Sequence, residues 1–251
     1  MKHVRLEKGR VTRVILQRPP VNILDLEMLG ELERAFREVP AAEPAVVVLC
    51  AEGRAFSAGV DITDHTEDRV GGMLELFHSV FAAIAAVDVP VIGLVQGAAL
   101  GGGCELATAC DLILAARSAK FGQPEIRVGV FPPVAAVELQ RVIGPRRAAE
   151  VLLTGEPLSA DEAAAAGLVN RVFPDEEFPQ AAEQFIETIS RHSRPVLSFT
   201  KQALALGRGR ALAEALPEIE VLYLDKLMQT QDAREGLKAF LEKRPARFQD
   251  R

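Results

Sequence analysis

Apolar positions follow two rhythms along the first half of the chain. Short, largely β-branched runs at Val11–Leu16, Val46–Leu49, Val91–Val95 and Leu112–Ala115 predict buried strands. Between them, Leu24–Val39 (Leu26, Leu29, Leu32, Phe36) and Asp68–Val87 (Met73, Phe77, Val80, Ile84) carry helical spacing. A further apolar run, Leu106–Cys110, follows Gly101-Gly-Gly103 and is short enough for one buried helix. Strands alternating with helices predict an α/β fold. Arg18–Asn22 reads as a turn, and Ala51–Asp61 and Lys120–Gly129 read as loops. From Val134 on, the pattern is mostly helical, with only Leu168–Phe173 resembling a strand. Ser159-Ala-Asp-Glu162 has capping-box spacing, and Pro195 and Pro217 fit helix starts. Residues 200–243 have helical periods but little to pack on, which suggests contact with another subunit or a lid.

Composition narrows the class. The chain has 251 residues, 49% hydrophobic and 25% charged, enough for one large domain or a domain with a helical appendage. Its net charge of -6 argues against nucleic acid and anionic membrane as partners. The chain is charged from Lys2 onward, and no apolar run reaches the ~18 residues of a membrane span. Cys50, Cys104 and Cys110 are odd in number and sit in apolar surroundings. They read as reduced thiols of a cytoplasmic protein. Cys104 and Cys110 lack the spacing and His partners of a zinc site, and no metal is expected.

The candidate chemistry centres on Gly97–Asp111. A helix that starts on bare glycines presents unpaired N–H groups at its positive end, and glycine lets a ligand approach them. Glu105 falls in the first turn of that helix. An anion hole beside a carboxylate suits acid–base work next to a carbonyl. A Glu in a first turn can equally be a dipole partner and nothing more. The stretch is neither a P-loop nor a dinucleotide fingerprint.

Ala55-Phe-Ser-Ala-Gly-Val-Asp61, Pro90-Val-Ile92 with Gly97–Asp111, and Phe121-Gly-Gln-Pro-Glu125 together resemble the enoyl-CoA hydratase/isomerase (crotonase) family. Gly155, Ser159-Ala160, Ala166–Val169 and Glu242–Phe248 fit the same pattern in order. The resemblance implies a spiral of ββα turns over residues 1–195. It also implies a helical C-terminal region, 196–251, that builds homotrimers or dimers of trimers. It implies an acyl-CoA thioester substrate, with no cofactor beyond the coenzyme A of the substrate. The backbone N–H groups of Val60 and Gly102 would polarise the thioester carbonyl. Glu105 would take a proton from water, and Glu125 would deliver one to the α-carbon. Ala58 would meet the adenine, and Arg54 and Lys243 the phosphates, although both cations can also be read as solvated. The family's aromatic contact to adenine is not matched, because Leu224 rather than Tyr223 occupies its place. Asp61 fits loop-fixing or substrate contact. His65 could line the acyl pocket or have no role; His78, His3 and His192 carry no assigned role.

The chain departs from the hydratase pattern at Phe131-Pro-Pro133, where Pro133 replaces a glycine. That run and Asp64-His65 resemble the branch acting on cyclic dienoyl-CoA esters. Isomerisation without water, or acyl-CoA binding without catalysis, are the other readings the family allows.

Overall fold

The computed structural model describes residues 1–251. The strands are β1 (Val4–Glu7), β2 (Val11–Leu16), β3 (Val46–Ala51), β4 (Val91–Val95), β5 (Ala98–Leu100), β6 (Leu112–Ala116), β7 (Lys120–Gly122), β8 (Leu158–Ser159) and β9 (Arg171–Phe173). The helices are α1 (Leu26–Glu38), α2 (Val70–Ala85), α3 (Gly102–Thr108), α4 (Pro133–Ile143), α5 (Pro145–Thr154) and α6 (Ala160–Ala165). They continue with α7 (Phe178–Ser190), α8 (Arg194–Gly207), α9 (Leu212–Asp225) and α10 (Gln231–Leu241).

Two sheets form two layers. The larger has the order β1-β2-β3-β4-β6-β9 and is parallel except for β1 against β2. The smaller has the order β5-β7-β8. Successive passes of the chain visit the large sheet and then the small layer: β3 then Ser57, β4 then β5, β6 then β7. Parallel pairing aligns Ser57 with Ala99, and Ala99 with Phe121, across three passes.

The apolar strand runs are unbroken because both faces of the large sheet are covered. On β3, Val47 and Leu49 face the main core with Met28, Leu32 and Phe36 of α1. Val46 and Val48 face the other way, against Phe178, Ala182 and Ile186 of α7. Asp25 starts α1 by accepting the Met28 N–H at 2.9 Å.

The expected strands and the two long helices are present, and the expected α/β class holds. Two expectations give way. Lys120–Gly129 is not irregular: it contains β7 and a 3-10 helix, Pro124–Val128. Its order comes from pairing with β5, which three residues of sequence cannot announce. Pro217 does not start a helix but lies inside α9. There it forgoes one backbone bond and crowds the carbonyl four residues earlier. The capping box at Ser159 and Glu162 is formed, and Pro195 lies in the first turn of α8.

The C-terminal helices are fastened at named points. Lys201 of α8 pairs with Asp111 at 2.7 Å and donates to the Val89 carbonyl at 3.1 Å. Arg194 reaches Asp88 at 3.2 Å and the Pro44 carbonyl at 3.0 Å. By contrast, α9 and α10 leave Leu212, Val221, Leu237, Phe240 and Leu241 exposed. No helix is long and apolar enough to cross a membrane.

Candidate active site

The site grows from three loops that leave the small layer side by side. Val60 lies three residues beyond Ser57, Gly102 three beyond Ala99, and Glu125 four beyond Phe121. Because the starting positions are in register, all three loops open on one cleft of about 340 Å³.

The first loop is held by Asn22, which is buried and has a positive φ of 51°. Its amide donates to the Glu52 and Ala55 carbonyls at 2.8 and 2.9 Å, and its carbonyl accepts from Ser57 Oγ at 2.7 Å. On this loop the Val60 N–H has no partner within the chain. The Gly102 N–H, at the start of α3, has none either. The two loops pack closely: a methyl on Gly102 would come within 2.7 Å of the Val60 side chain at Cγ2 and 3.0 Å of Phe77 Cζ, and one on Gly59 would lie 3.6 Å from the Gly102 nitrogen. Two adjacent unpaired donors facing a cleft can hold one oxygen that gains negative charge.

Glu105 is one turn into α3 and only 3% exposed. Its Oε1 accepts the Ala135 N–H at 2.8 Å, and the Val134 N–H also bonds it, so the carboxyl caps α4. Burial pushes its pKa up to about 7, and the nearby charge of Glu125 acts in the same direction. Glu125 comes from the 3-10 helix after β7. Burial raises it too, while its own backbone N–H and the charge of His65 pull it down. Gln123 is fully buried with its side-chain amide beside Glu125, and the amide orientation that satisfies both groups puts its nitrogen 3.3 Å from each Glu125 oxygen. Two carboxyls that burial shifts upward in one cleft can divide the work of base and acid.

The rest of the lining is mostly apolar: Ile62, Met73, Leu74, Phe77, Val130 and Phe131 among others. Phe131 lies at the mouth, 71% exposed, and Pro133 is the first residue of α4.

A model of the enoyl-CoA hydratase/isomerase family matches residues 7–251. The chain belongs to that family. Among family members, a cyclohexa-1,5-dienecarbonyl-CoA hydratase of Thauera aromatica is 38% identical over 244 residues, covering 97% of this chain and 94% of its own. A crotonyl-CoA hydratase of Syntrophomonas wolfei is 37% identical, covering 98% of each chain. The solved structure of an enoyl-CoA hydratase from Mycobacterium smegmatis superposes with a TM-score of 0.93 at 31% identity, covering 98% of both.

The family motifs locate the site unevenly. Val60, Gly102, Glu105, Glu125, Ala58, Phe131 and Pro133 all line the cleft, and so does His65. The Ala58 N–H is engaged by the Val21 carbonyl at 2.8 Å, leaving only its carbonyl to accept. Asp61 does not line the cleft; its carboxylate caps the next turn through the N–H and Oγ1 of Thr63 at 2.9 and 2.8 Å. Arg54 and Lys243 are exposed and lie outside the lining. Tyr223 and Leu224 are both exposed on α9. The sequence reading passed over Asn22 as a tether, Gln123 as the partner of Glu125, and α2 as a cleft wall. Gln123 lay inside a recognised motif, but nothing in the motif says where its amide points. The three cysteines are unpaired, and burial pushes the Cys104 thiol up to about 12.

Proposed function

We propose that this protein adds water across the α,β double bond of an acyl-CoA thioester. The reading is carried by one observation: two carboxyls, Glu105 and Glu125, share a cleft with two unpaired backbone donors, Val60 and Gly102. The donors take the thioester oxygen and stabilise the enolate, each contributing about 10²–10³ in rate. Glu105 takes the water proton as the hydroxyl adds to the β-carbon, and Glu125 protonates the α-carbon. Each such transfer is worth about 10²–10⁴. The Ala58 carbonyl faces the adenine, and the exposed cations Arg54 and Lys243 meet the phosphates.

The acyl group that fits is compact and rigid. Phe131, Pro132 and Pro133 form a stiff apolar wall on the cleft, and the named Thauera relative acts on a cyclic dienoyl ester. Loss of enoyl absorbance is followed with crotonyl-CoA and with a cyclohexadiene-carbonyl-CoA. Turnover is expected with both and faster with the ring. Glu105→Gln and Glu125→Gln should each lose about 10²-fold or more in kcat while still binding the ester. Wild-type rates in both variants would end this mechanism.

A further inference from the structure

Gln123 and Glu125 flank Pro124 just after β7. Proline fixes its own φ and keeps the residue before it out of the helical region, and Gln123 has φ -126° and ψ 81°. Both side chains therefore leave a stiff piece of backbone. Gln123 is fully buried, and one end of its amide lies 3.3 Å from each Glu125 oxygen. The other end faces only donors. Donors require an acceptor, so the amide oxygen belongs at that far end and the nitrogen at Glu125. An amide fixed in this way presents N–H to the acid whether or not the acid holds its proton.

The other groups around Glu125 are engaged elsewhere. On its own 3-10 helix, Arg127 is paired with Glu156 at 2.6 Å. On α3, Cys104 is a buried thiol and Glu105 accepts from the Ala135 N–H at 2.8 Å. Across the cleft, His65 Nδ1 lies 3.1 Å from the Asp61 carbonyl oxygen. Beside Gln123, the other donor to the Glu125 carboxyl is its own backbone N–H.

We propose that Gln123 is a positioning residue that stabilises the carboxylate Glu125 becomes as it protonates the α-carbon. The inference rests on the hydratase reading. In that step the Glu125 O–H bond breaks, and its proton and the enolate electron pair form the new C–H bond. Negative charge leaves the thioester oxygen and settles on Glu125, beside the Gln123 N–H. At 3.3 Å the contact is longer than the about 2.7–2.9 Å of a charge-assisted bond, so it has room to tighten as the charge arrives. An interaction that is stronger in the transition state than before it speeds the step. Burial holds the proton on Glu125, and the N–H works against that hold.

Two measurements test this. Gln123→Met nearly keeps the volume and removes the donor. In the free protein, the Glu125 carboxyl signal is identified by its loss in Glu125→Gln and titrated by carbon-detected NMR. Gln123→Met should raise the Glu125 pKa, because the amide favours the charged form. In turnover, Gln123→Met should lose about 10- to 100-fold in kcat, the value of one hydrogen bond to a charged group, with KM near wild type. The alkaline limb of kcat, where Glu125 loses its proton, should move to higher pH. In a Glu125→Gln background the same substitution should cost little more. Gln123→Asn keeps a buried amide but withdraws it by one methylene. It should shift the titration the same way, and it decides the matter if the methionine variant does not fold. An unchanged Glu125 titration overturns the proposal. So does a kcat loss of equal size in both backgrounds, which a purely structural glutamine would give. If the wild type hydrates neither ester, the hydratase reading fails, and the titration still decides whether Gln123 supports the Glu125 charge.

Discussion

The carboxylate of Glu125 rests on the bare α-carbon of Gly101: a methyl there would stand 2.6 Å from Oε1. Gly101 also holds a φ of 51° and a ψ of -128°, a conformation open to glycine and strained for other residues. The acid therefore has its position because the residue beneath it has no side chain.

Gly101→Ala should displace Glu125 and strain the start of α3 together. A stability loss of about 1–3 kcal/mol is expected from the backbone alone. The kcat should fall about as far as in Glu125→Gln. Denaturant melts and steady-state kinetics on the same preparation check both, and an alanine variant with wild-type kcat would show that the acid tolerates displacement.

Glu105 should make stability depend on pH. Its folded pKa, about 7, lies above its ordinary value of 4.5. The stabilisation linked to its protonation is therefore fully present below about 4.5 and is lost as pH rises through about 7. Glu105→Gln keeps an oxygen for the Ala135 N–H and removes the titration. It should be more stable than wild type at pH 8 by roughly 3 kcal/mol, and the gain should shrink toward pH 4. Urea unfolding at the two pH values checks it, and a gain of equal size at both would mean that burial of charge is not the cause.

Pro133 is the first residue of α4, directly before the two N–H groups that hold Glu105. Proline costs the helix nothing there, since that N–H would be unpaired in any case. It does remove one donor from the cleft. Restoring it with Pro133→Gly should raise kcat/KM for crotonyl-CoA by up to about tenfold, the value of one hydrogen bond of 0.5–1.5 kcal/mol. A wild-type value already near the diffusional ceiling of about 10⁸ per molar per second would show the missing donor to be irrelevant.

The exposed apolar faces of α9 and α10 are expected to pack against further copies of the chain, giving a trimer or a dimer of trimers. Phe240 and Leu241 are 83% and 80% exposed, too much apolar surface for a helix end in water. Sedimentation should give a multiple of 27.1 kDa, and Phe240→Glu with Leu241→Glu should weaken the assembly. A wild-type monomer at micromolar concentration would refute it.

Much of the large sheet could be read from the sequence because its strands are buried on both faces, as at Val46–Leu49, and so stand out as apolar runs. The small layer could not. β5, β7 and β8 are two or three residues long and exist only because they pair with one another. That Glu105 and Glu125 share one cleft was legible through family motifs, which fix residue identity and order. What those motifs do not encode is side-chain direction. Asp61 therefore turns out to cap a turn, and Gln123 to hold the acid. Arg54 and Lys243 fall outside the cleft because charge alone does not say which way an exposed side chain serves.

The alignment of Ser57, Ala99 and Phe121 makes the small layer a ruler. Adjacent strands stand about 4.8 Å apart, and each residue along them advances about 3.3 Å. The separation of the Val60 donor, the Gly102 donor and the Glu125 acid is thus set by counting: three residues, three and four from a common line. Removing one residue between Ala99 and Gly102 would pull one donor back by a full step and leave the pair unable to share an oxygen. Lengthening α2, which lies on the return path between layers, leaves every count unchanged. The tolerance of this chain to insertion and deletion should therefore be graded by whether a segment lies on the ruler or between its marks.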